Sequence, residues 1–235
     1  MSPSEYAVNF FVALFALLDP IGNVPVFAAA TAGGIAAGRR WVAVYIALFA
    51  FVFMTFFFFT GLSLLEFFGI SLPAFRIAGG VILFLMGLEM ARDDFTAMFS
   101  DAAEGAEAEG PRAYARRRFE RLVVPFAMPL LIGPGAISTV IIYASEAKSF
   151  GLAGMAIGCG VIAAVALVLV ATFWASPIIS RVLGRIGMSI VVRVLGLILC
   201  ALAVQFILIG IGDSTRNVIK ASASAPYAEP AKKGP

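Results

Sequence analysis

Asp19 poses the sharpest chemical question in the sequence. It lies in Leu18-Asp19-Pro20-Ile21-Gly22-Asn23-Val24-Pro25, which places an acid, two prolines, a glycine and an asparagine inside an apolar run from about residue 7 to 30. On insertion scales a carboxylate at the centre of a membrane-spanning helix costs about 2.5–3.5 kcal/mol, so it needs a partner, a wet cavity or a proton. Pro20 and Pro25 remove backbone donors, Gly22 loosens the chain, and Asn23 is a candidate side-chain cap for a new helix at Val24. A helix broken near the bilayer midplane is therefore expected. Pro129 and Gly133-Pro134-Gly135, followed by Ser138 and Thr139, repeat the plan in a second apolar run.

Each break starts a half-helix whose first-turn N–H groups lack acceptors and carry roughly half a positive charge. The unwound carbonyls before it are partly negative. An anion suits the first, a cation or ammonium suits the second together with Asp19, and a small zwitterion would meet both. The alternative role for Asp19 is an acceptor for backbone N–H groups near Gly22 and Asn23, which is compatible with substrate contact. Gln205 is the other deep polar side chain, either glue between helices or part of the site lining.

Composition removes most other chemistry. The 235 residues are 61% hydrophobic and 13% charged, with mean hydropathy +1.00, far from a soluble average of about 25% charged. With no histidine there is no His-based triad or His-ligated metal site. A paired-aspartate mechanism needs a second deep carboxylate, and none is seen, so an enzyme is not expected and no metal or cofactor is called for. Cys159 and Cys200 lie in apolar stretches and read as small packing residues.

Six runs are long enough to cross a bilayer: about residues 7–30, 41–65, 74–90, 122–145, 152–175 and 191–212. The flank of the first holds Glu5 and no Lys or Arg, unlike a cleaved signal peptide. Connections after the first, third and fifth runs hold Arg39, Arg40, Arg92, Arg112, Arg116, Arg117, Arg118, Arg121, Arg181 and Arg185, while the opposite short loops hold Lys148. The positive-inside rule gives both termini outside. The +3 charge is thus an orientation signal, with no nucleic-acid partner implied. The basic half of the connection before residue 122 could also touch anionic headgroups.

Phe15-Ala16 through Ile21-Gly22 aligns with Phe126-Ala127 through Ile132-Gly133 at an offset of 111, and Arg76-Ile77-Ala78-Gly79 with Arg193-Val194-Leu195-Gly196 at 117. Spans one and three therefore resemble spans four and six. Because each repeat has three spans, the second copy must insert upside down, a recurring plan of secondary transporters. The expected fold is all-α and membrane-integral, six helices in two inverted three-helix repeats, with spans one and four broken. Its parts are repeat one (1–92), a charged cytoplasmic linker (93–121), repeat two (122–213) and a flexible tail (214–235). Gly154 and Gly158, Gly79, Gly80 and Gly87, and Gly196 with Cys200 read as close helix contacts.

Leu18 to Phe27, Arg76 to Gly80, Ile132 to Thr139 and Ala203-Val204-Gln205-Phe206 resemble the MarC family of bacterial inner-membrane proteins, also called the neutral amino acid transporter family. The likeness spans about residues 8–212. It implies a multi-pass inner-membrane protein whose substrate site is bordered by Gly22, Asn23, Gly133, Gly135 and Ser138, with Asp19, Pro20 and Pro134 at the breaks. It also implies uptake of glycine- or alanine-like substrates, coupled to protons or sodium. The alternative is an efflux or lipid-carrier translocase of the same family, for which Arg76 and Arg193 are the available cations.

Overall fold

In the computed structural model, residues 2–31, 34–92 and 110–215 are described, and all regular structure among them is helical. Helix α1 (Pro3–Leu18) opens with a capping box in which the Ser2 side chain accepts from the Glu5 N–H and the Glu5 carboxylate accepts from the Ser2 N–H. It ends at Asp19, whose φ of 41° is left-handed. After the break come α2 (Val24–Ala30), α3 (Ala36–Phe67) and α4 (Leu72–Arg92). Helix α5 (Pro111–Leu122) runs into a π-helical segment, Val123–Leu131, and α6 (Pro134–Ala147) follows. A turn at Lys148–Phe150 leads to α7 (Gly151–Trp174), and α8 (Ser176–Thr215) bends at Gly184, where φ is 59°.

Four stretches among the described residues are long and apolar enough to cross a membrane: Ala36–Phe67, Leu72–Arg92, Pro134–Ile179 and Ser189–Thr215. The first expected span is present as two pieces, α1 with 16 residues and α2 with seven, because the expected break divides it. Span four is likewise divided, with α6 as its 14-residue second piece. Its disruption begins earlier than the prolines indicate. The π-helical register starts at Val123 and ends with the Ile132 N–H on the Ala127 carbonyl, five residues back.

Three antiparallel contacts organise the bundle. Helices α4 and α8 pair through Arg76 with Asp213 at 2.9 Å, Gly80 on Ala203, and Gly87 on Gly196, so numbering rises along one as it falls along the other. Helices α3 and α7 run oppositely too, since Trp174 Nε1 donates to the Arg40 carbonyl (3.2 Å) while Phe58 covers Gly158. Span one meets span four through the Tyr6 hydroxyl on the Tyr143 carbonyl (3.0 Å) and, at the other end, Phe27 beside Phe126. Of the glycines singled out for packing, Gly80, Gly87, Gly158 and Gly196 sit at these contacts, whereas Gly79 meets Pro134 and Gly154 meets Ala147 and Phe150.

The charged connection carries more structure than a linker. Residues 93–109 and 216–235 lie outside the described residues, so the acidic half and most of the expected tail do too. The basic half forms α5, which buries Tyr114, Ala115, Arg118 and Leu122 and exposes Arg112, Arg116, Arg117 and Arg121. Tyr114 covers Gly38 of α3, and burial pushes its phenol pKa up. Arg118, 3% exposed, donates from Nε to the Ala30 carbonyl at 2.6 Å and from its terminal nitrogen to the same oxygen. Ala30 ends α2, so this guanidinium satisfies a carbonyl that helix geometry leaves open. Burial lowers the Arg118 pKa, but a guanidinium stays charged in a protein. Arg118→Met should lower stability by about 1.5–3 kcal/mol, the range for hydrogen bonds to charged groups. Arg118→Lys should restore only part, because an ammonium lacks the planar fork. Thermal unfolding in detergent measures both, and an Arg118→Met protein as stable as wild type would contradict the capping role.

Candidate functional site

The first break folds back on itself. The Gly22 N–H donates to Asp19 Oδ1 at 3.0 Å, the Asn23 N–H donates to the Asp19 carbonyl at 3.0 Å, and the Val24 N–H reaches the Ile21 carbonyl at 3.1 Å. The turn-acceptor role considered for Asp19 is therefore present. Asn23 departs from expectation: it makes no side-chain cap for α2, and its Nδ2 donates backwards to the Leu18 (2.9 Å) and Asp19 (3.1 Å) carbonyls. The physical reason is its φ/ψ of −80°/−7°, already helical, whereas a capping side chain needs an extended backbone. Asn23 thus closes the end of α1 and leaves the start of α2 uncapped by a side chain.

A Cβ at Gly22 would run into the Asp19 carboxylate. Gly22→Ala must displace that carboxylate or the turn, and is expected to cost about 1–3 kcal/mol. Ile21→Ala, at a side chain 61% exposed, should stay within about 0.5 kcal/mol. Thermal unfolding of the two variants side by side checks this, and equal stabilities would contradict it.

Beside the break lies a cavity of about 40 Å³. Leu17, Asp19, Gly22 and Asn23 form one wall, Met90 of α4 and Leu130 of the π segment a second, and Leu195, Ile198, Leu199 and Leu202 of α8 a third. Asp19, Gly22 and Asn23 lie together in its wall, and Pro20 is buried. The apolar walls were missed as site residues. Their signal was available in the three-to-four-residue spacing of Leu195, Leu199 and Leu202, which gives one helical face beside Gly196.

The second break is buried next to this cavity, outside its wall. Gly133, Pro134, Gly135 and Ser138 are all buried, with Pro134 under Gly79 and Gly135 under Phe206. The Ser138 hydroxyl donates to the Pro134 carbonyl at 2.7 Å, a bond within its own helix. Only Leu130 carries span four to the cavity. Gln205 is exposed on α8 and lines nothing here. Arg76, considered as an anion partner, is occupied by Asp213, and Arg193 is exposed.

Residues 4–214 match the sequence profile of MarC family integral membrane proteins. The chain belongs to the MarC family. The two broken helices, the Arg76-to-Gly80 stretch and the Gln205 region all fall within the matched residues. Among curated relatives, it is 33% identical over 225 residues to the UPF0056 membrane protein of Aquifex aeolicus, covering 92% of this chain and 96% of that one. It is 34% identical over 204 residues to the UPF0056 membrane protein YhcE of Escherichia coli (86% and 90%). The UPF0056 membrane protein of Methanocaldococcus jannaschii is 34% identical over 207 residues (88% and 96%). These names carry no substrate. No solved structure matches this MarC-family chain.

Proposed function

We propose that this MarC-family chain is a secondary transporter of small neutral amino acids, taking up glycine- or alanine-like zwitterions driven by inward proton or sodium movement. The observation that carries this reading is the cavity where the carboxylate of Asp19, at a helix break, faces apolar side chains of α4 and α8. A carboxylate with one oxygen fixed by the Gly22 N–H is a partner for an ammonium group or a coupling cation. Apolar walls of Met90, Leu199 and Leu202 suit a side chain no larger than a methyl group and offer nothing to a charged one. The substrate carboxylate would use backbone N–H groups at the start of α6, behind Leu130.

The antiparallel packing supports the inverted repeats of this reading. Helix α4 runs antiparallel to α8, and spans one with four and two with five are antiparallel as well, as copies inserted in opposite directions would be. A cavity of 40 Å³ holds about three water-sized groups, fewer than the five non-hydrogen atoms of glycine. Substrate entry therefore requires the walls to part, as rocking of one repeat against the other would do. The arginine-bearing connections would face the cytoplasm across the inner membrane, with both termini outside. In this reading the site binds its substrate, with Asp19 the carboxylate in its wall.

Thermal unfolding of the purified protein against amino acids, with and without sodium and at two pH values, tests the reading. A ligand at 100 times its Kd stabilises by about 2.7 kcal/mol. Glycine or alanine should stabilise and glutamate or lysine should not. If no neutral amino acid shifts unfolding under any of these conditions, the proposal fails.

A further inference from the structure

We propose that a pocket between the starts of α3 and α8 binds a phosphate-class oxyanion, either free phosphate or the headgroup of an anionic phospholipid. The pocket lies at the arginine-bearing end of the bundle and is independent of the amino acid site. Its volume is about 60 Å³, room for four or five water-sized groups, which matches the five non-hydrogen atoms of a tetrahedral oxyanion. Arg39 and Arg40 both line it, Trp174 and Ser176 stand opposite, and the wall contains no carboxylate.

Arg39 carries the argument. Its Nε is buried and has no hydrogen-bond partner among the described residues. A buried donor on a cation, left without an acceptor, is costly, so an anion in the pocket would remove a standing penalty. The guanidinium fork presents parallel N–H groups at the spacing of two phosphate oxygens, which a lysine could not do. Helix α3 begins at the pocket through Ala36 and adds the positive end of one long helix to the two arginines, while Ser176-Pro177, where α7 passes into α8, closes the other side. The Trp174 indole N–H on the Arg40 carbonyl ties the two sides together. Phe173, which also lines the pocket, stacks on Phe27 of α2 with centroids 4.3 Å apart, so one aromatic layer separates the oxyanion from the short helix after the break.

The test uses the full-length protein in neutral detergent. Thermal unfolding is followed against millimolar inorganic phosphate, and native mass spectrometry compares retention of phosphatidylglycerol with zwitterionic phosphatidylcholine. A rise in Tm with phosphate, or at least tenfold preferential retention of phosphatidylglycerol, supports the site. Phosphate alone would assign a free anion, phosphatidylglycerol alone a lipid headgroup, and both the shared chemistry. The R39Q/R40Q double variant should abolish either effect, while R116Q/R121Q, on the exposed face of α5, should leave it unchanged. Should R39Q/R40Q fail to fold, R40Q alone, at an exposed side chain, is expected to weaken binding at least threefold. Absence of both ligands from the wild-type protein would overturn the proposal. So would binding that survives loss of the pocket arginines, or that falls equally with the α5 pair.

Discussion

Gly196→Val should destabilise the folded protein by about 3 kcal/mol, the upper part of the range for overpacking. A Cβ built at Gly196 lies 2.6 Å from the Gly87 carbonyl oxygen, and one built at Gly87 lies 2.7 Å from the Gly196 carbonyl oxygen. Each glycine therefore rests on the backbone of the other helix, where no flexible side chain can turn aside. A valine at either position must push α4 and α8 apart, and these helices also carry the Arg76–Asp213 ion pair and two walls of the cavity. The double variant Gly87→Val/Gly196→Val should lose less than the sum of the two singles, because helices already separated by one valine have room for the other. Gly212→Val, where an added Cβ meets nothing within 4 Å, is the control and should change stability by no more than about 0.5 kcal/mol. Thermal unfolding of the four proteins in one detergent measures all of this. A Gly196→Val protein as stable as Gly212→Val would mean that the two backbones do not touch.

Asp19→Asn should reduce transport of alanine at least tenfold while leaving the fold intact. Asparagine tolerates the left-handed φ of 41° and can still accept the Gly22 N–H, so the turn is kept and only the charge is removed. Asp19→Ala loses both, and is expected to be as inactive and also less stable. The pair separates the two roles of this residue. If Asp19 merely shapes the break, the asparagine variant transports normally and only the alanine variant fails. If its charge holds an ammonium or a coupling ion, both fail and the tenfold loss corresponds to about 1.4 kcal/mol of binding. Initial rates of uptake, normalised to folded protein in the liposomes, decide between them.

The breaks were legible in the sequence because proline and glycine act locally. Pro20, Gly22 and Pro134 remove or loosen hydrogen bonds wherever the chain goes, and the helices end at Leu18 and restart at Pro134 accordingly. The glycines were legible as contacts for a similar reason, since a missing side chain is useful where backbones meet. What each break does with its polar groups was not legible. Asn23 had the residue type and position of a helix cap, but whether its amide points forward to α2 or back to Leu18 depends on one ψ angle. Arg118 looked like one of several orienting arginines. Its neighbours in sequence, Arg116 and Arg117, are exposed, and only the packing of Tyr114 and Leu122 turns Arg118 inward to Ala30. Gln205 failed in the opposite sense: a polar residue deep in an apolar run was expected to face the interior, yet it lies on the outer face of α8. The cavity wall from Leu195 to Leu202 left only a faint signal, the spacing of its leucines beside Gly196, because the other faces of so apolar a helix carry leucines and isoleucines as well.

Purified protein reconstituted into liposomes, given labelled alanine or glycine and an imposed proton or sodium gradient, provides the most direct measurement of the proposed function. Saturable uptake that collapses when the gradient is dissipated, with exchange of preloaded unlabelled substrate, is the expected result. Folded protein that shows neither uptake nor exchange of any small neutral amino acid under either gradient would contradict it.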